Sequence, residues 1–241
     1  MTRGRQTGIA ARVAACDWAV IERDLDEHGY ALTPPLLTPG ECAALTLLYD
    51  DDRRFRSRID MVRFRFGVGE YKYFARPLPP LVEAIRVDAY RRLAPIANRW
   101  TEALGDLERF PPTLAAFLGH CARQGQKRPT PLLLRYQPGG YNCLHQDLYG
   151  AVAFPIQLTF GLNQPGVDYT GGESLLVEQR PRAQSRGEVI VLPQGAALVF
   201  PTRHRPIRGS RGWYRATVRH GVSRLHTGKR FTLGVIFHDA T

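Results

Sequence analysis

The sequence predicts an α+β fold, a double-stranded β-helix of jelly-roll type with N-terminal helices packed outside one sheet. Three observations predict it. Apolar residues in the first half recur at helical spacing. After Pro129 the period shortens to that of strands. The second half is then cut into many short runs by Gly- and Pro-rich turns, the pattern of a sandwich or barrel. At 241 residues the chain is long enough for one well-filled core and short for two. Residues 1–14 read as a flexible tail and 15–241 as one domain, with 15–128 mainly helical support and 129–241 the jelly-roll core.

Each element has its own signal. Residues 18–28 place apolar side chains on one helical face and stop at Gly29. Thr38-Pro39-Gly40-Glu41 has an N-cap, a proline at the first helical position and an acid at the third, opening a helix that runs to about residue 48. Residues 53–74 are rich in Arg and aromatics and contain Gly67 and Gly69, which reads as a strand followed by a loop. A long amphipathic helix over 81–104 is expected to be interrupted or kinked near Pro95, and a short one follows over 112–123. Strands are predicted at 132–136, 141–146, 154–162, 174–178, 188–192, 196–200, 214–220 and 230–237. The turns between them include Gln137-Pro138-Gly139-Gly140, Gly171-Gly172, Pro193-Gln194-Gly195 and Thr227-Gly228.

Composition excludes several classes. No apolar run approaches the roughly 20 residues that cross a bilayer. The N-terminus carries Arg without a sustained apolar stretch, which argues against a secretory signal. Four cysteines (Cys16, Cys42, Cys121, Cys143) without a C-x-x-C pair argue against a structural zinc site and a disulfide framework. A cytoplasmic protein with reduced thiols is the expectation. Net charge is +11, and residues 180–230 hold twelve Lys or Arg against a single acid, Glu188. Such a field attracts polyanions, with nucleic acid, phosphorylated metabolites or acidic protein as candidates. The alternative is that Arg merely decorates solvated faces.

The chemistry centres on His145-Gln146-Asp147. On a strand, residues i and i+2 face the same way, so the imidazole and carboxylate point together. They are two of the three ligands of a facial triad, which leaves metal positions open. The pair alone is a weak signal. Candidates for the third ligand are His204, His220, His226 and His238. His220 ends an alternating strand, whereas His204 sits in a presumed exposed loop, His226 at a turn and His238 near the chain end. Arg230 follows His220 by ten residues, so a hairpin can bring both into one pocket. There its guanidinium can pair with the remote carboxylate of a metal-chelating diacid, and Thr232 on the same face can add a hydroxyl.

The segment HGVSRLHTGKRFTLGVIF, residues 220–237, resembles the distal-His and 2-oxoglutarate-Arg strands of the Fe(II)/2-oxoglutarate dioxygenase superfamily, including prolyl-hydroxylase-like members. Upstream, Arg135-Tyr136-Gln137-Pro138-Gly139 followed by Leu144-His145-Gln146-Asp147 is similar to the AlkB-like nucleic-acid dealkylases. From about residue 53 onward the chain resembles a bacterial oxygenase family described as acting on damaged nucleic acid. Phrases such as RPTPLLLRY, YNCLHQDLYG and RHGVSRLHTGKRFTLGVIFHDA carry that likeness. The resemblance implies Fe(II) held by His145, Asp147 and His220, with 2-oxoglutarate bound by Arg230, Thr232 and Tyr136, and O2 as the oxidant. Two positions depart from the AlkB-like pattern. Leu134 stands where those enzymes have Asn, and Ile236 where they have a second Arg on the substrate side.

The implied function is hydroxylation of a C–H bond, with DNA or RNA carrying an alkylated base as the substrate. A small molecule or a protein side chain such as proline is the alternative. A non-catalytic jelly-roll binding module is a third reading, and Glu173, Arg65, Tyr71 and Tyr73 are further candidates for the site's rim.

Overall fold

The structure is a computed structural model and describes residues 8–241. The first seven residues of the expected N-terminal tail lie outside the described residues. The remainder of that tail is a helix, α1 (Ile9–Ala14), whose Ile9 and Val13 are buried one turn apart. Arg12 pairs with Glu41 at 2.7 Å and ties α1 to the following helix layer. A six-residue helix is too short to carry a periodic signal, which is why the sequence read it as tail.

Two further helices have side-chain N-caps, the second at the Thr38 expected from the sequence. In α2 (Trp18–Glu27) the Asp17 carboxylate accepts the Val20 N–H at 3.1 Å. In α3 (Pro39–Leu47) the capping box is complete: Thr38 Oγ1 accepts the Glu41 N–H at 3.2 Å, and the Glu41 carboxylate accepts the Thr38 N–H at 2.8 Å. Such a cap contributes about 1 kcal/mol. The long helix α4 (Pro80–Ala103) continues through Pro95 without the expected break. Burial of Leu93, Ala94, Ile96, Ala97 and Trp100 around that proline outweighs its cost of about 3 kcal/mol. The last helix is α5 (Leu114–Arg123).

Two antiparallel sheets face each other as a jelly roll. The major sheet has the strand order β1 (Ala31–Leu32), β11 (Ala197–Pro201), β7 (Ile156–Gly161), β15 (Arg230–Val235), β5 (Leu132–Tyr136), β4 (Glu70–Phe74) and β2 (Phe55–Asp60). The minor sheet runs β10 (Arg186–Ile190), β9 (Ser174–Gln179), β13 (Gly212–Val222), β6 (Tyr141–His145) and β3 (Gly67–Val68). A hairpin adds β12 (His204–Gly209) to β13, so the segment expected to be a loop around His204 is a strand. A short pair, β8 (Tyr169–Gly171) and β14 (Leu225–Gly228), closes one end.

Residues 55–74 hold more strand than the expected strand followed by a loop. They form a β2–β4 hairpin at the edge of the major sheet, and β3 inside it crosses to pair with β6 of the minor sheet. Gly67, read as a breaker, makes this crossing possible. Its φ is 137°, and a Cβ there would lie 2.3 Å from the Tyr141 carbonyl oxygen.

The major sheet is buried on both faces, and β15 shows why its sequence is nearly all apolar. Phe231, Leu233 and Val235 enter the core beneath the helices, with Trp100, Tyr90, Phe117 and Phe154. Arg230, Thr232 and Gly234 point the other way, into a cavity between the sheets. The end of this strand is clamped by Arg86 of α4, fully buried, which donates to the carbonyl oxygens of Ile236 (3.0 Å) and Phe237 (2.9 Å) and pairs with Asp239 at 2.8 Å.

Candidate active site

The cavity between the sheets has a volume of about 420 Å³ and is lined by His145, Asp147, His220, Arg230, Thr232 and Tyr136. His145 ends β6 and His220 lies on β13, and the ladder pairs them directly. Asp147, two residues past His145, lies close to both rings. Its Oδ1 is 3.6 Å from His145 Nε2 and its Oδ2 is 3.1 Å from His220 Nε2. The three ligand atoms all fall within 4.8 Å of one another. Neighbouring ligands of an octahedral ion, each about 2.1 Å from it, lie about 3 Å apart, so the cluster has the spacing of a metal-binding face.

Neighbouring groups orient the cluster. The Cys143 carbonyl accepts from His145 Nδ1 at 2.8 Å, which assigns the proton to Nδ1 and leaves Nε2 free as a ligand atom. Tyr149 donates its hydroxyl to Asp147 Oδ1 at 2.6 Å. Phe200 packs on His220 with ring centroids 4.9 Å apart. Burial and the neighbouring His220 lower the His145 pKa and favour the neutral imidazole that a metal requires. Burial works against ionisation of Asp147. The two imidazoles and the Tyr149 hydroxyl nevertheless hold its carboxyl below the usual range. Tyr149 is itself pushed well above the usual phenol value by burial and by Asp147, and so remains a donor.

A second subsite lies on the major-sheet wall. Arg230 is 1% exposed, and its Nη2 donates to Ser174 Oγ at 3.2 Å. Its Nε and Nη1 are buried with no hydrogen-bond partner, as is the Tyr136 hydroxyl beside it. The Arg230 guanidinium lies 5.6 Å from the Tyr136 ring centroid, and register pairs the two residues across β15 and β5. Thr232, 2% exposed, is the next inward residue. Buried donors are almost always satisfied. Unpaired guanidinium N–H groups beside an unpaired hydroxyl suit a carboxylate, which takes a guanidinium in bidentate fashion. The donor set therefore fits both a divalent metal and a metal-chelating diacid.

The other histidines are elsewhere. His204 is on β12 near Thr217, His226 is exposed on β14, and His238 is buried behind the wall, its ring 5.9 Å from that of Tyr149. Among the proposed rim residues, Arg65 and Tyr71 line the cavity, whereas Tyr73 lies behind Tyr71 and packs on Tyr149. Glu173 instead accepts from Ser223 and joins the start of β9 to the end of β13. Ile236 lines the cavity in an apolar cluster with Tyr73 and Leu132.

Sequence reasoning missed Tyr149, Ser174 and Gln157, all cavity-lining. Tyr149 follows Asp147 at the i+2 spacing that had linked His145 to Asp147, and this signal could have found it. The basic stretch at 180–230 is not one patch. Arg205 and Arg230 are buried, Arg180, Arg186 and Arg215 form ion pairs, and the rest are exposed.

Comparisons with known proteins place the fold and the family. An uncharacterized Mycobacterium tuberculosis protein, found in two strains, is 50% identical over 167 residues, which is 69% of this chain and 72% of the relative. A Pseudomonas putida prolyl-4-hydroxylase superimposes with a TM-score of 0.54 at 15% identity, covering 93% of this chain and 99% of the other. A 2OG-Fe(II) oxygenase family oxidoreductase from Burkholderia pseudomallei gives 0.53 at 13% identity, covering 100% and 95%. A Trichoplax adhaerens prolyl hydroxylase, solved with a hypoxia-inducible-factor oxygen degradation domain peptide fragment, gives 0.56 at 14% identity, covering 95% and 91%. The fold is thus shared with these oxygenases. Residues 69–240 match the model of a family described as "Oxygenase, catalysing oxidative methylation of damaged DNA". The chain belongs to that oxygenase family.

Proposed function

We propose that this oxygenase uses Fe(II), 2-oxoglutarate and O2 to oxidise an N-alkyl group on a DNA or RNA base. The observation that carries the cofactor assignment is Arg230, whose two buried, unpaired donors share a cavity with the His145, Asp147 and His220 cluster. His145, Asp147 and His220 would hold the iron. Arg230 would clamp the far carboxylate of 2-oxoglutarate, with Thr232 and the Tyr136 hydroxyl beside it. Bound iron and 2-oxoglutarate together supply the oxidising equivalent from O2, with succinate and carbon dioxide as by-products. The chain's own part is orientation. Tyr149 fixes the carboxylate of Asp147, the Cys143 carbonyl fixes the tautomer of His145, and the apolar wall of Leu132, Leu134 and Leu198 excludes water. Oxygen insertion into an N–CH3 group gives N–CH2OH, which loses formaldehyde and restores the base.

The nucleic-acid assignment rests on the family description, the net charge of +11 and the cavity rim. Phe64 and Phe66 are exposed and stacked on each other, with centroids 5.7 Å apart, and Arg63 and Arg65 are interleaved with them. Exposed aromatics with alternating cations suit unstacked bases and phosphates. A protein side chain or small molecule is the second reading, favoured by Ile236 and Leu134 making the inner wall apolar. A cytosolic location accords with four unpaired cysteines.

The test is formaldehyde release from single-stranded oligonucleotides carrying one N-methylated base. Release above that from unmodified strands, falling about tenfold or more from ~50 to ~200 mM salt, supports the reading. Absence of release from every methylated strand, alongside succinate production on proline-containing peptides, would replace it with the second.

A further inference from the structure

We propose that Gln157 reads the substrate, donating its side-chain N–H to a carbonyl oxygen on a neutral, lactam-type methylated base. The inference rests on the nucleic-acid reading above and adds to it a recognition residue and a class of base.

The strand β7 alternates cleanly. Ile156, Leu158 and Phe160 enter the core beneath the helices, and Gln157 and Thr159 face the cavity. Gln157 is 2% exposed, and its Nε2 has no hydrogen-bond partner. An unsatisfied buried donor destabilises the fold, and a leucine at this place would avoid that cost. Among the described residues nothing accepts from this N–H, so its natural partner is an acceptor brought by a ligand.

That ligand is not the diacid. Gln157 pairs with Phe200 across β11, and Phe200 packs on His220. On its other side, the β7–β15 register pairs Leu158 with Val235, so Ile236 lies beside Gln157 one position further on. Arg230 is six residues back along the same strand, about 20 Å at the rise of an extended chain. Gln157 therefore sits at the end of the cavity away from Arg230, beside Phe200, which itself packs on one cluster histidine.

Its surroundings define the chemistry. Phe200 and Ile236 are apolar, and the only cations among the described lining residues are Arg65 and Arg230. The donor thus meets an uncharged acceptor. In a base methylated on a lactam nitrogen, such as 1-methylguanine or 3-methylthymine, a carbonyl oxygen adjoins the N-methyl group. Holding that oxygen turns the methyl toward the cluster. A ring with an amino group at that place, such as 1-methyladenine, would set N–H against N–H.

The experiment compares wild type with Gln157→Leu and Gln157→Glu. Binding is measured by fluorescence anisotropy for single strands carrying 1-methylguanine, 1-methyladenine or no methyl group, and thermal midpoints are recorded without ligand. Wild type is expected to prefer the 1-methylguanine strand over the 1-methyladenine strand by about tenfold, the worth of one well-placed hydrogen bond. Both variants lose that preference while still binding the unmodified strand, and Gln157→Leu melts no lower than wild type because an unsatisfied donor has gone. Retained preference in Gln157→Leu would overturn the inference and leave the nucleic-acid reading standing. So would loss of preference accompanied in both variants by a fall in Tm above about 5 °C, which would assign Gln157 to the core. A wild type that binds methylated strands no better than unmodified ones would overturn both, and that failure appears before any variant is made.

Discussion

His220 stands directly opposite His145 across the β13–β6 ladder, with ring centroids 4.1 Å apart and the Asp147 carboxylate within reach of both Nε2 atoms. Two imidazoles and one carboxylate are thus held together by the fold before any metal arrives. One divalent ion per chain is expected in equilibrium dialysis with Mn(II). His145→Ala or His220→Ala should abolish stoichiometric binding without lowering the thermal midpoint of the metal-free protein.

Tyr149 would act on a bound metal through Asp147. Its hydroxyl at 2.6 Å directs one lone pair of Oδ1 away from the cluster. Removing such an outer partner costs about tenfold to a hundredfold in affinity. Tyr149→Phe should therefore weaken Mn(II) binding by about tenfold, as read by isothermal calorimetry, and leave the stoichiometry at one.

Arg86 is a buried cation that holds the end of β15, and through it Ile236, with Asp239 as its partner. Replacing it by Met leaves Asp239 with only the half-exposed Arg76 for compensation. A loss of about 3–5 kcal/mol is expected in urea unfolding, the usual cost of breaking a buried pair. Asp239→Asn should cost less, since the carbonyl partners of Arg86 remain.

Acid stability depends on Glu178. Burial opposes its ionisation, but Arg205 at 2.5 Å and Arg180 at 2.7 Å hold its pKa below the ordinary 4.5. With the folded value depressed, the contribution is complete above the unfolded pKa and disappears as pH falls through the folded one. The thermal midpoint of wild type should therefore fall as pH drops below 4.5, and Glu178→Gln should flatten that part of the curve while lowering the midpoint at neutral pH.

The β-core and the cluster were legible because their signals are local. Alternating runs cut by Gly and Pro gave strands within a residue or two, and the i, i+2 spacing brought the His145 and Asp147 side chains together although β6 ends at His145. His220 and Arg230 needed one further step, the hairpin between them. What escaped the sequence was set by distant contacts. Gly67 breaks a helix in any local reading, yet here its missing side chain lets β3 reach β6 against the Tyr141 carbonyl. Arg205 looked like one of many surface cations, but it is 1% exposed and bonded to Glu178 and the Asp26 carbonyl. Gln157 carries no motif, and only its orphaned amide in the finished fold sets it apart.

The most direct test is uncoupled turnover. Protein loaded anaerobically with Fe(II) is given 2-oxoglutarate and O2, and succinate is quantified for wild type, His145→Ala and Arg230→Ala. Succinate is expected from wild type, none above background from His145→Ala, and a loss of about 30-fold or more in 2-oxoglutarate affinity for Arg230→Ala, the scale expected for removing a buried charge partner. Wild-type protein that binds neither Fe(II) nor 2-oxoglutarate and forms no succinate would contradict the assignment of this site to Fe(II) and 2-oxoglutarate.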